Sequence, residues 1–145
     1  MSSPSSAPVR GTPHPRLSGS GRALIAVYAV LALAATGRSF VQIVSKFDEA
    51  PLAYTLSALS AVVYIVATIA LVKRARVWHT IAWVTISFEL AGVLVIGTLS
   101  LVEAAWFPHD TVWSVFGRGY LFIPLVLPVL GMIWLRSQSR AKESE

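Results

Sequence analysis

Four stretches of the chain stay nearly free of charge for about the length a helix needs to cross a bilayer: about Ala23 to Val44, Leu52 to Val72, Val77 to Val102 and Gly119 to Leu135. At ~1.5 Å of rise per residue, roughly 20 apolar residues span the ~30 Å of a hydrocarbon core. Lipid offers no hydrogen-bond partner to an open strand edge, so each backbone must satisfy itself within a helix. The expected fold is therefore all-α: a polytopic membrane protein whose four transmembrane helices form an up-down bundle. Composition agrees, since 55% hydrophobic and 13% charged residues leave too little polar surface for a solvated domain.

The flanking segments are of another kind. Residues 1–22, "MSSPSSAPVRGTPHPRLSGSGR", are rich in Ser, Pro and Gly without apolar periodicity and read as a disordered tail. Residues 23–136 form the membrane domain, and 137–145 a second short tail. Ala32-Leu33-Ala34 imitates a signal-peptide cleavage site, but the long preceding tail and the apolar "FVQIV" that follows favour a retained helix. Arg10, Arg16 and Arg22 precede the first span, Lys73, Arg74 and Arg76 fill the middle connection, and Arg136, Arg140 and Lys142 follow the last. By the positive-inside rule both termini and the middle connection are cytoplasmic. The two outer connections carry Asp48, Glu49, Glu103 and Asp110 against Lys46 and Arg118. Trp78 and Trp134 fall at the inner boundary, and Tyr54, Trp106, Trp113 and Tyr120 near the outer one, where amphipathic rings settle.

Glu89 interrupts the third span in "ISFELAGVLVIG". It stands roughly 12 residues, about 18 Å, from the inner end, near the bilayer centre. An ionised side chain there costs at least ~3 kcal/mol and usually faces the bundle with a partner. Arg38, about 21 Å along the first span by the same count, is the expected partner, in a buried ion pair on the bundle axis. A neutral Glu89 would instead share a hydrogen bond with a hydroxyl such as that of Tyr64, leaving Arg38 to extend to the outer headgroups. Helical spacing surrounds this pair with a polar stripe: Gln42 on the first span, Tyr54, Ser57, Tyr64 and Thr68 on the second, and Thr85 and Ser100 on the third. Such residues serve close helix packing, and they would equally line a polar path.

Pro124 and Pro128 in "YLFIPLVLPVLG" predict a kinked fourth helix, each removing a backbone donor and crowding the preceding turn. Between Pro108 and Gly117 the outer connection reads either as an irregular loop or as a short interfacial helix. The helical reading has Asp110 as N-cap, Gly117 as C′, and Trp113 and Phe116 laid on the membrane.

No catalytic constellation stands out. Cysteine is absent, which excludes disulfides, thiolate chemistry and cysteine-based metal sites. His14, His79 and His109 are too scattered for a metal set, so no catalytic residue, metal or cofactor is expected. The net charge of +5 belongs to residues beside apolar segments, where it sets orientation rather than binding nucleic acid.

The run "TGRSFVQIVSKFDEAPLAYTLSALSAVVYIVATIALV", with "FELAGVLVIGTLSLV" and "FGRGYLFIPLVLPVLG", resembles small four-span integral membrane proteins of actinobacterial type that carry no assigned activity. The likeness covers about Arg22 to Arg136, rests most on "KFDEAPLAY" and "FGRGY", and implies a bacterial cytoplasmic membrane. The function expected is that of a non-enzymatic accessory or scaffold subunit. Its partners would be the lipid bilayer and another membrane protein or a second copy of the chain. A small oligomeric transporter or channel, with Glu89 and Arg38 in its path, is the alternative.

Overall fold

The computed structural model describes residues 19–73 and 75–144. Most of the N-terminal tail lies outside these residues, along with the basic residues Arg10, Arg16 and Arg74. Helix α1 spans Gly19–Lys46, α2 Pro51–Val72, α3 Arg76–Val102 and α4 Ile123–Glu143, with 3-10 segments at Phe47–Glu49, Ala104–Trp106 and Ser114–Tyr120. No strand occurs among the described residues. The chain is an all-α polytopic bundle. Helices α1, α2 and α3 are each long and apolar enough to cross a membrane, and the bent pair Ser114–Tyr120 with Ile123–Glu143 supplies a fourth span when taken as one.

Local chemistry sets the helix ends. Pro51 opens α2, where its fixed φ suits a first turn and its missing N–H would have been unbonded anyway. At the other end the Lys73 N–H closes on the Ile69 carbonyl at 3.1 Å, and its ammonium lies 5.0 Å from the centre of the Trp78 ring. Helix α4 continues through the expected C-terminal tail to Glu143, because Arg, Gln, Ala, Lys and Glu are good helix formers.

Sequential helices pack as neighbours, α1 on α2, α2 on α3 and α3 on α4, while α4 meets α1 only lightly. Helices α1 and α3 thus stand on the bundle diagonal. Fully buried Ala35, Ala67 and Ala82 let the backbones approach, as small residues do in membrane interfaces. Leu33, Val44, Val102 and Leu121 turn outward, and so extensive an apolar exterior is that of a membrane-embedded bundle. One end is basic, with Arg22, Lys73, Arg76, Arg136, Arg140 and Lys142, and the other carries Asp48, Glu49, Glu103 and Asp110.

The acidic end departs most from expectation. The fourth span bends by 97° between Ser114–Tyr120 and α4, and the break precedes both prolines. Leu121 and Phe122 make it, with φ of 56° and 59°. Pro124 then falls in the first turn of α4, where proline is tolerated, and Pro128 lies inside the helix. Nor does the preceding stretch form an interfacial helix capped by Asp110. Thr111 and Ser114 close a turn on each other, and a 3-10 segment follows with Val115 and Phe116 in the left-handed region. This connection folds back onto α3, with the Phe116 ring against Gly97.

A Cβ on Gly97 would come within 2.9 Å of the Phe116 backbone nitrogen, whereas one on Gly37 would meet nothing within 4 Å. Gly97→Ala is expected to lower stability by about 1–3 kcal/mol. Gly37→Ala should leave it unchanged or raise it by up to ~1 kcal/mol. Thermal unfolding of both variants in one detergent checks the contrast.

Candidate functional site

Glu89 lies midway along α3 and is fully buried. Its partner comes from across the diagonal: the Tyr28 hydroxyl of α1 donates to Glu89 Oε2 at 2.7 Å. Tyr28 is also fully buried, and its ring lies 6.3 Å from that of Tyr64 on α2, tilted by 52°. The Tyr64 hydroxyl in turn accepts a hydrogen bond from the Trp113 indole N–H at 3.0 Å. A carboxyl, two tyrosines and a tryptophan thus join α1, α2, α3 and the acidic-end connection through the middle of the bundle.

The expected Arg38–Glu89 ion pair is not formed. Arg38 Nη2 donates to the backbone carbonyl of Asp110 at 2.7 Å, at the acidic end. Two further polar contacts are also there: an ion pair of Arg118 with Asp110 at 3.6 Å, and the His109 ring against the Glu49 carboxylate at 3.5 Å. The depth count failed because the start of an apolar run marks composition and not a common plane. Tyr28, ten residues before Arg38 and hence about 15 Å nearer the basic end, is the α1 residue level with Glu89. Within the bundle Glu89 therefore works as a hydrogen-bonded core group. Its other oxygen, Oε1, has no partner among the described residues.

The polar stripe divides into separate roles. Tyr64 belongs to the buried chain. Tyr54 is buried and stacks on the His109 ring, with centroids 6.0 Å apart. Ser100 Oγ donates to the Gly97 carbonyl at 2.9 Å and accepts the Val115 N–H at 2.8 Å, holding the connection to α3. Thr68 turns back on its own helix, donating to the Tyr64 carbonyl at 2.7 Å. Ser57 Oγ and Gln42 Oε1 are buried without a hydrogen-bond partner among the described residues, and Thr85 is half-buried. These residues do not join into one continuous line of hydrogen bonds.

Trp113 does not lie on the membrane surface. It is fully buried, its backbone N–H donating to Thr111 Oγ1 at 3.1 Å and its ring lying on Gly92, where an added Cβ would approach to 2.7 Å. Gly92 stands one helical turn beyond Glu89, so the ring caps the carboxyl's side of α3. Tyr28, which the sequence reading does not single out, and Trp113, which it places at the outer membrane boundary, have only faint signals of these roles: a lone tyrosine within the first span, and glycines on α3 that leave room for rings. Among the described residues no group of three or more His, Asp or Glu side chains stands where it could hold a metal ion.

No family profile, curated protein or solved structure matches the chain.

Removing the Tyr28 hydroxyl leaves a buried carboxyl without a donor. Tyr28→Phe should therefore destabilise by about 1–3 kcal/mol. A cycle of Tyr28→Phe with Glu89→Leu should give a coupling of about 0.5–3 kcal/mol. Arg38→Gln should cost no more than ~1 kcal/mol, against the ~3–5 kcal/mol of breaking a buried ion pair. Unfolding by thermal or denaturant titration in detergent measures all three.

Proposed function

We propose that the protein is a non-enzymatic integral membrane protein of the bacterial cytoplasmic membrane, acting as an accessory or scaffold subunit for another membrane protein or a second copy of itself. The observation that carries this reading is the use made of its interior polar groups. Tyr28 hydrogen-bonds to Glu89 and Trp113 to Tyr64, and the two tyrosine rings meet between these pairs, across elements that would otherwise be free to shift. They hold a fixed shape and leave the lipid-facing surfaces as the place where work is done. The basic end faces the cytoplasm in this reading, on the strength of the positive-inside rule.

The transporter reading keeps one supporting observation, the partnerless Glu89 Oε1 deep in the bundle. Arg38 no longer contributes to it, since that side chain is engaged at the acidic end.

Two experiments test the proposal. Because the chain has no cysteine, Ala105→Cys and Ser144→Cys can each be probed with a membrane-impermeant maleimide in intact cells. The first should label and the second should not until the cells are opened; the reverse pattern would overturn the orientation. Crosslinking in native membranes should trap the chain with one partner at fixed stoichiometry. A partner-free chain whose proteoliposomes pass protons or cations, and lose that flux in Glu89→Gln, would instead establish the transporter.

A further inference from the structure

The weak meeting of α1 and α4 leaves a cavity of about 440 Å3 between them toward the basic end, within the ~300–1,000 Å3 range of ligand sites. Its inner walls are aliphatic: Leu24 and Val27 from α1, and Leu127, Leu130 and Ile133 from α4. Its mouth is different. Ser20 and Ser137 line the end nearest the helix termini, and Trp134 stands between the two regions, its ring packed on Gly21 so closely that a Cβ there would come within 2.7 Å. Tryptophan at this level marks the boundary between headgroups and hydrocarbon. The groove is thus apolar where acyl chains lie, with two serines at its headgroup end, where the Ser137 hydroxyl donates to the Trp134 carbonyl at 2.7 Å.

Charge surrounds only the polar end. The α4 side of the groove follows a stripe through Leu130, Ile133 and Ser137 that continues, one turn on, to exposed Arg140. Arg22 lies two residues beyond Ser20 on α1, and Lys142 follows on α4, whereas the Arg136 guanidinium is turned to α3, 5.9 Å from the centre of the Trp83 ring; Glu143 is the acidic residue on this stretch of α4. A cationic rim beside an aliphatic cleft matches one class of ligand, an amphiphile with an anionic head. Basic pockets between transmembrane helices recognise lipid head groups by the same chemistry.

We propose that the α1–α4 groove is a binding site for an anionic phospholipid of the leaflet at the basic end. One acyl chain lies along Leu24, Val27, Leu127 and Leu130, and the phosphate sits at the Ser20–Ser137 mouth within reach of Arg140. This goes beyond the accessory role and holds whichever way the bundle faces. Bound there, the lipid fills the gap between the first and last helices.

The test is native mass spectrometry of the full chain in mild detergent, titrated with phosphatidylglycerol or with phosphatidylcholine of the same acyl chains. One basic residue near an anionic surface contributes about 1 kcal/mol, or about fivefold. Phosphatidylglycerol should be retained several-fold better than phosphatidylcholine, and Arg140→Gln should weaken it by about fivefold while leaving phosphatidylcholine unchanged. Ala23→Phe, which puts a ring into the groove from its exposed rim, should reduce binding of both lipids. Each variant is first shown to unfold at the wild-type temperature, so that loss of lipid is not loss of fold. Equal retention of the two lipids overturns the proposal, as does lipid binding indifferent to both substitutions. A disulfide-trapped dimer joined through Leu130→Cys in lipid bilayers would also overturn it, giving the groove to a second copy.

Discussion

The hydrogen bond from Tyr28 to Glu89 fixes the bundle about its axis. In water such a bond would be one of many exchangeable contacts. In hydrocarbon a carboxyl has no solvent to fall back on, and an unsatisfied polar group there costs several kcal/mol. Helix α3 must therefore turn Glu89 inward, and α1 must turn Tyr28 to meet it across the diagonal. Once these two rotations are set, the faces that remain for lipid are set with them. The alanines of α1, α2 and α3 permit the approach but do not choose it, since small residues pack equally well in neighbouring registers.

The same axis holds the acidic-end connection. Val115, Phe116, Leu121 and Phe122 all occupy the left-handed region, which costs roughly 1–2 kcal/mol per non-glycine residue. Such a backbone persists only where its surroundings over-determine it. Here the constraints are the Trp113 indole on Tyr64, the Ser100 hydroxyl on the Val115 N–H, and two rings seated on Gly92 and Gly97. Arg38 adds a clasp from α1 through the Asp110 carbonyl. The connection is thus a built part of the bundle, closing its acidic end with a buried tryptophan.

The spans and the fold class were legible because both follow from composition and from the intolerance of hydrocarbon for unpaired backbone. Glu89 was legible as an inward-facing group for the same reason. Its partner was not. Counting residues from the ends of apolar runs places Arg38 level with it, although α1 and α3, nearly equal in length, do not start in one plane, and a tyrosine able to donate is no counter-charge. Trp113 was assigned to the membrane surface by the usual behaviour of amphipathic rings. Only the vacancy at Gly92 marks it as a core residue, and a glycine in a helix shows that space exists without saying what fills it. The bend before α4 is not legible in the prolines, because it lies at Leu121 and Phe122, whose N–H groups close on the Arg118 and Gly117 carbonyls of the segment before them.

These relations give a division of labour within a small chain: polar groups inside to hold shape, apolar faces outside, and basic residues beside an aliphatic groove. The central claim is that Glu89 answers to Tyr28 and not to Arg38. Infrared spectroscopy of the protein in lipid addresses it most directly, since subtracting the spectrum of Glu89→Gln isolates the carboxyl band of Glu89. The account predicts that Tyr28→Phe shifts this band while Arg38→Gln leaves it in place. A band that moves with Arg38 and ignores Tyr28 would contradict it.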